Sequence, residues 1–281
     1  MKAYIEYIEK IKGVEDVSEV VKTIEKISAS RVHFLKKELI LLENYLDIVT
    51  STLSRISVFC NRENNFFLEK KINARENVLV IISSDRGLVG NLWHDLINKV
   101  LELEYDKIIV LGSRGYAYLL EENIDVFKVF DFSDTNINKN FSLDICKYLF
   151  DLYTQDDINK IDIIYADFIS IAEHDVKIVE FLPFNFSPKV SSKKIGFPIF
   201  EQKKKDIYNA LIDKYIENFF YKLILEVKLS EFSVRMLEME HASEKAKDEI
   251  IKIKKKFNKQ KRNLITQKQL EIFNVKKRYE S

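Results

Sequence analysis

Glycine and proline are scarce in this chain of 281 residues, which contains 6 glycines and 3 prolines. Average usage would give about 20 glycines and about 14 prolines. The three prolines lie between positions 183 and 198, and no glycine falls between Gly13 and Gly87 or after Gly196. Because both residue types interrupt helices, their absence from the two ends of the chain predicts a long, uninterrupted helix at each end.

Cysteine is also scarce, and the chain has neither an excess charge of one sign nor a long apolar run. Cys60 and Cys146 form no CxxC pair, which argues against a zinc site or a disulfide framework and fits a reducing cytoplasm. The net charge of +1 gives no reason to expect a nucleic-acid partner. The longest apolar run, Val78–Ile82, is far shorter than the roughly 20 residues of a membrane helix, and the charges within Met1–Lys12 are untypical of an export signal. We therefore expect no direct membrane span.

Apolar residues recur in steps of three and four at both ends of the chain, which is the spacing of a coiled-coil seam. The C-terminal seam consists of Leu229, Phe232, Met236, Met239, Ser243, Ala246, Ile250, Ile253, Phe257, Gln260 and Leu264. The N-terminal seam consists of Leu35, Leu39, Leu42, Leu46, Val49, Leu53 and Ile56, preceded by Val17, Val20, Ile24 and Ile27. Helices from Val14 to about Asn61 and from Ile199 onward would therefore pair as an antiparallel coiled coil, since the middle region joins them.

The middle region has the alternating pattern of an α/β domain. Apolar runs bounded by turn residues predict strands over Val78–Ser83, Lys107–Leu111, Val126–Phe132, Ile161–Ile169 and Val176–Phe184. Helical spacing predicts helices over Leu92–Glu104, Tyr116–Glu122 and Leu143–Tyr153. We expect an α/β insert with a mostly parallel, Rossmann-like sheet over residues 76–198, flanked by helical segments over 1–75 and 199–281.

Charge is balanced overall but not locally. Residues 101–180 contain 17 acidic and 7 basic side chains, whereas residues 252–281 contain 11 basic and 2 acidic ones. The basic end could contact an acidic surface or could be a solvated tail. A nucleic-acid arm is disfavoured, because apolar seam residues interleave with the lysines at coiled-coil spacing.

No constellation typical of catalysis is present. The chain contains neither G-x-x-x-x-G-K-[ST] nor G-x-G-x-x-G, and its four histidines have no partners at metal-ligand spacing. The segments Ser84–Gly90 and Gly112–Gly115 each follow a predicted strand and could bind an anion, but a plain strand-to-helix turn is the simpler interpretation. The sequence therefore predicts a protein that is not an enzyme and binds no cofactor or metal.

Four segments resemble one family in the order in which they occur. Val21–Arg31 resembles I-T-K-A-M-x-M-V-A-x-S-K, and Ile82–Leu92 is close to T-S-D-[KR]-G-L-C-G-G-[LYF]-N. Leu229–Met239 resembles A-S-E-x-x-A-R-M-x-A-M, and Phe257–Thr266 resembles Y-N-x-x-R-Q-A-x-I-T. These are motifs of the gamma subunit of rotary ATP synthases, and the resemblance covers nearly the whole chain.

The resemblance implies a non-catalytic rotor. Its coiled coil would thread a hexamer of three alpha and three beta subunits, which bind ATP, ADP and Mg²⁺, while epsilon-like and ring subunits would contact the α/β foot. The resemblance places partner-contact and axle residues at Ile24, Lys26, Ile27, Met236, Met239, Ile250, Ile253, Phe257, Lys261, Arg262, Ile265 and Thr266. It places the family loop of the foot at Ser84, Asp85, Arg86, Gly87, Leu88 and Gly90. The expected location is cytoplasmic, peripheral at the inner face of the cell membrane.

Two alternatives stay open at this point. Divergent relatives of rotary ATPases in small wall-less bacteria are coupled to gliding, so motility proteins could replace the proton-translocating ring at the foot. A coiled-coil tether with an α/β head and no rotary role is the other alternative, and it predicts a stable homodimer.

The C-terminal seam generates a mutational prediction. Proline within a helix removes a backbone hydrogen bond and clashes with the preceding turn. We expect Ile253→Pro to break the axle, so that the assembled complex loses its coupling or does not form. ATPase activity of the complex carrying this variant is the measurement, and unchanged activity would contradict a rotor role.

Overall fold

The computed structural model describes residues 2–57, 71, 74–133, 139–155, 157–184, 200–201 and 203–279. The chain divides into two compact units, one made of residues 1–29 with 235–281 and the other of residues 30–234. The first unit thus combines the start of the N-terminal helix with the end of the C-terminal helix. One helix leaves this unit as the other enters it, so the two run antiparallel, as predicted.

Both long helices are found, while the expected end of the first near Asn61 and the expected start of the second at Ile199 lie outside the described residues. Helix α1 spans Lys2–Ser57 and helix α5 spans Lys204–Tyr279. The expected start of α1 at Val14 is wrong, because the helix includes Gly13. A methyl group added at Gly13 would meet nothing within 4 Å, so this glycine sits in open space. A single glycine costs a helix only about 1 kcal/mol relative to alanine, and pairing with a second helix offsets that cost.

In the first unit, the C-terminal seam is confirmed. Its positions from Met236 to Leu264 are buried or half-buried, whereas their neighbours on the opposite face of α5 are exposed. Glu15 on α1 and Lys254 on α5 form an ion pair, with 3.2 Å between Glu15 Oε1 and Lys254 Nζ. Beyond Leu264 the helix is exposed as far as its side chains are described, to residue 274.

The N-terminal part of the α1 seam is wrong at Val17, Val20 and Ile27, whereas Ile24 is half-buried. Val17, Val20 and Ile27 are 58%, 59% and 55% exposed, whereas Ser18 and Ser28 are buried. Both sets of positions recur at helical spacing, so periodicity alone does not distinguish the face that is covered. Serine side chains are small, and small side chains at a contact reduce the distance between helix axes.

The second unit contains a five-stranded sheet, and three helices lie in the connections between its strands. The strands are β1 (Glu76–Ile82), β2 (Lys107–Leu111), β3 (Lys128–Phe130), β4 (Ile158–Phe168) and β5 (His174–Leu182). The helices are α2 (Leu92–Leu101), α3 (Ser113–Glu121) and α4 (Lys139–Gln155). Every predicted strand and helix of the insert is found, with bounds that shift by a few residues.

The sheet is mostly parallel, as predicted, and its order is β3-β2-β1-β4-β5. β1 pairs in parallel with both β2 and β4, and β2 pairs in parallel with β3. β5 pairs antiparallel with β4, through the short turn after Phe168. β1 is the central strand, and its residues Val78–Ile82 are fully buried.

Two clusters of apolar side chains hold the second unit together. The larger one covers both faces of the sheet and includes one face of α5 between Tyr208 and Val227. The smaller one joins α1 to α5 and comprises Val32, Leu35, Leu39, Leu42, Leu46, Tyr221, Leu225, Leu229 and Phe232. The seam predicted for this half of α1 is therefore confirmed. None of the helices in the described part of the chain is both long and apolar enough to cross a lipid bilayer.

Gly112 occupies a position that no other residue fits. It has a φ of +99°, and a methyl group added there would lie 2.5 Å from the backbone nitrogen of Ser84. Side chains rarely adopt this backbone conformation. The turn after β2 can therefore pass directly against the end of β1 only because the residue is glycine.

We expect Gly112→Ala to destabilise the chain by roughly 2–5 kcal/mol, since it adds both backbone strain and a steric clash. Gly13→Ala is the matched control, and it should stabilise α1 by roughly 0.5–1 kcal/mol because the site is open and helical. Urea unfolding followed by circular dichroism measures both. Equal effects of the two variants would show that the close approach at Gly112 is not a constraint.

Candidate functional site: a helix in the crevice of the sheet

The connections of the sheet create a crevice at one point. The chain runs outward from β1 to β2 and β3, then returns to β4 on the other side of β1. In open sheets of this kind, ligands bind outside the carboxyl ends of the strands where the order reverses. That point lies at the carboxyl ends of β1 and β4.

Helix α5 occupies this crevice. The Ser230 hydroxyl donates a hydrogen bond to the carbonyl of Ala166, close to the carboxyl end of β4, at 3.2 Å. One residue further on, Glu231 Oε1 accepts a hydrogen bond from the hydroxyl of Ser84, which follows β1, at 2.8 Å. A single turn of α5 thus contacts the ends of both strands that border the crevice.

A wholly buried ion pair lies in the same turn. Lys228 and Glu231 are both 0% exposed, and Lys228 Nζ lies 2.9 Å from Glu231 Oε2. The ammonium group also donates to the Ser84 hydroxyl at 3.3 Å and to the carbonyl of Phe132, which follows β3, at 3.5 Å. It lies 4.1 Å from the centre of the Phe132 ring, a favourable position for a cation. We call Ser84, Lys228 and Glu231 the polar lock.

The family loop begins at the polar lock. The Arg86 backbone N–H donates to the Ser84 hydroxyl at 3.2 Å, and the Arg86 carbonyl accepts from the indole N–H of Trp93 at 3.4 Å. Leu88 has a φ of +64°, which is rare for a branched apolar residue, and its side chain is 61% exposed. The loop therefore holds an apolar side chain in solvent at the expense of backbone strain.

The start of α3 is not available as an anion site, because its first N–H groups already have acceptors. Asp85 Oδ1 accepts from the Ser113 N–H at 2.7 Å, the Ser84 carbonyl from Arg114 at 3.0 Å and the Ser83 hydroxyl from Gly115 at 3.2 Å. The plain strand-to-helix turn, rather than a phosphate loop, is therefore the better description of Gly112–Gly115. Among the described residues, no group of three or more histidine, cysteine or acidic side chains could hold a metal ion.

The residues assigned to the axle lie on several faces of the two helices. Met239 and Ile253 are buried in the seam, and Ile24, Met236, Ile250 and Phe257 are half-buried. The exposed ones are Lys26, Ile27, Lys261, Arg262, Ile265 and Thr266. The exposed set includes Lys261 and Arg262 of the C-terminal motif, so these side chains are accessible for contact with another molecule.

A second polar cluster lies beside the lock, where α5 passes β4. Glu226 is buried, its Oε1 lies 3.2 Å from Lys222 Nζ, and its Oε2 has no hydrogen-bond partner within the part of the chain that the structure describes. Burial raises the pKa of Glu226, Lys222 lowers it, and the carboxylates of Asp167 and Glu43 raise it further. Burial together with Glu226 also raises the pKa of Tyr165 on β4. Asp167 in turn has Lys177 as an ion-pair partner at 2.5 Å.

The polar lock was missed by sequence reasoning. The motif containing Ser230 and Glu231 was found, but no chemistry was assigned to it, and Lys228 lies just outside the motif. The i,i+3 spacing of Lys228 and Glu231 was the one available signal, and such pairs are ordinarily on helix surfaces. Only the fold shows that this pair is buried.

Two long helices flank a mostly parallel α/β domain in the chain, and the second of them fills the crevice at the carboxyl ends of the strands. A family model described as ATP synthase matches residues 4–275. The chain therefore belongs to the ATP synthase family that this model describes.

Curated relatives of this chain are ATP synthase gamma chains, and a solved structure shares its fold. The chain is 26% identical over 278 residues to the ATP synthase gamma chain of Buchnera aphidicola subsp. Baizongia pistaciae, with 94% of each chain covered. It is 24% identical over 273 residues to the gamma chain of Clostridium beijerinckii, with 95% of each covered. The fold is similar to a chain of the Euglena gracilis mitochondrial ATP synthase rotor, with a TM-score of 0.62, 17% identity and coverage of 94% of this chain and 99% of that one.

The buried Glu226 carboxyl generates a pH prediction. A pKa that is higher in the folded than in the unfolded chain favours the protonated form of the folded state. The contribution of protonated Glu226 to the free energy of unfolding is fully present below the unfolded pKa, near 4.5. This contribution is lost as the pH rises through the folded pKa. Glutamine resembles the protonated acid, so Glu226→Gln should stabilise the chain at pH 8 relative to wild type and have little effect at pH 4.

Urea unfolding at both pH values measures this difference. Glu122→Gln is the control, because Glu122 is exposed and lies outside this cluster, so its replacement should change the stability little at either pH. A stabilising effect of Glu226→Gln that is equal at pH 4 and pH 8 would contradict the raised pKa.

Proposed function

We propose that this chain is the non-catalytic central-stalk rotor, or gamma subunit, of an F-type ATPase. The observation that carries the proposal is the match to ATP synthase gamma chains over 94–95% of the chain length. The occupied crevice supports it, because a fold that commonly binds ligands has its own helix in the ligand position.

The division of labour follows the three segments of the chain. Residues 1–75 and 199–281 would supply the axle, and residues 76–198 the foot. An axle that transmits torque must resist bending and twisting, and helices paired along an apolar seam meet this need better than single helices. The near absence of glycine and proline from both helices has the same physical explanation.

The partners would be three alpha and three beta subunits around the axle, with ATP, ADP and Mg²⁺ bound by those subunits. Exposed Lys261 and Arg262, in a segment with 11 basic and 2 acidic residues, would face acidic surfaces of the hexamer. The exposed Leu88 of the foot loop would be a further contact. Epsilon-like and ring subunits would bind the foot, which places the protein in the cytoplasm, peripheral at the inner face of the membrane.

Proton transport is the coupling that we propose, because both curated relatives described above are ATP synthase chains. No observation favours coupling to gliding. A structural tether would leave the filled crevice and the family loop without a role.

Native mass spectrometry of the complex isolated from its own cells through a tag on this chain tests the proposal. We expect three alpha-like and three beta-like subunits per copy of the chain, together with delta, epsilon and ring subunits. Recovery of only this chain as a homodimer would refute the rotor assignment. Recovery of the hexamer with cytoskeletal or surface proteins in place of the ring would refute the coupling to proton transport.

A further inference from the structure

The polar lock is the place where α5 makes directional contacts with the sheet. We propose that Ser84, Lys228 and Glu231 form the torque-bearing joint between helix α5 and the α/β domain. This inference rests on the proposed rotor function and assigns to it a mechanical site.

The first reason is the position of the joint. Lys228 and Glu231 are one turn apart on α5, and through Ser84 and the Phe132 carbonyl they reach the ends of β1 and β3. Ser230 in the same turn reaches β4. Contacts with three different strands resist rotation of the helix about its own axis more effectively than contact with one strand.

The second reason is that these contacts are directional. Between Tyr208 and Val227, the face of α5 that covers the sheet is mainly apolar. The hydrophobic effect opposes separation but has no preferred direction, so it resists a change of angle less than a directional bond does. Hydrogen bonds weaken steeply when their angle changes, and charge-assisted bonds are the strongest of them.

The third reason is that the joint is rigid and dry. Lys228 and Glu231 are 0% exposed, so neither water nor salt screens their attraction. Gly112 packs its backbone directly against Ser84, which leaves the serine no space to move away. The Ser84 hydroxyl is also fixed by the Arg86 N–H, so the acceptor and donor of the lock are held in place before load is applied.

If the ion pair only stabilised the fold, its removal would change the torsional stiffness no more than an equal loss of stability elsewhere in the domain. Replacing both members of a buried ion pair by apolar residues of similar volume is often neutral for stability or stabilising, whereas removal of one member is strongly destabilising. Lys228→Met/Glu231→Met should therefore preserve the folded chain while removing the directional bonds. This double variant separates stiffness from stability.

The experiment measures torsional stiffness in the assembled complex. The catalytic hexamer is fixed to a surface, a bead is attached to a cysteine introduced at Asp144 on the exposed face of α4, and ATP drives rotation. During pauses at low ATP, the variance of the bead angle is inversely proportional to the stiffness of the path from hexamer to foot. The unfolding midpoint of each full-length chain is measured in parallel.

We expect the double variant to keep the wild-type unfolding midpoint and ATPase rate, with at least a two-fold increase in the variance of the bead angle. Glu231→Gln should increase the variance as well and should also lower the unfolding midpoint. Leu119→Ala, which removes buried side-chain volume from α3 away from the joint, is the control. It should lower the midpoint without changing the variance.

The outcomes separate the joint from the rotor function. A rotating double variant with wild-type variance would overturn the joint and leave the rotor function intact. An increase in variance for Leu119→Ala equal to that for Glu231→Gln would also overturn it, since loss of stability alone would then explain the effect. A wild-type complex in which the bead never turns would overturn the proposed rotor function and the joint with it.

Discussion

An ion pair that is removed from water is stable only where its donors and acceptors are satisfied, and Lys228 with Glu231 meets this condition. Among the described residues, the ammonium group donates to Glu231, Ser84 and the Phe132 carbonyl, and both carboxylate oxygens of Glu231 are bonded. These partners come from α5 and from the ends of two strands. Through these contacts one turn of α5 is set against the ends of the strands, while apolar contacts hold the preceding turns on the sheet.

The crevice of this fold, which in other proteins binds a ligand, is filled here by the chain's own helix α5. A mostly parallel sheet with a reversal of strand order usually offers a ligand site at the reversal point. Here Ser230 and Glu231 of α5 contact the strand ends at that point, and the first N–H groups of α3 have acceptors within the chain. The domain therefore retains the architecture of a ligand-binding fold while its site serves to hold a helix.

Local pattern predicted the elements well. β2 is found at Lys107–Leu111 as expected, because a short apolar run bounded by turn residues leaves few alternatives. Gly13 was given too much weight as a helix terminator, since an open helical site tolerates glycine at modest cost. The antiparallel direction of β5 was not assigned from the sequence, since apolar patterning shows where a strand lies and not which way it pairs.

By itself, the sequence determined the two long helices, the α/β insert, the heptad seam of α5 and the family, because each is encoded in local composition, periodicity or motif. The tertiary structure decided which face of α1 is covered: Ser18 and Ser28 are buried, whereas Val17 and Val20 are exposed. It also decided that Lys228 is a core residue. Burial depends on what a distant segment places against a side chain, and in this chain residue 84 lies against residues 228 and 231. No local pattern around any one of these residues contains that information.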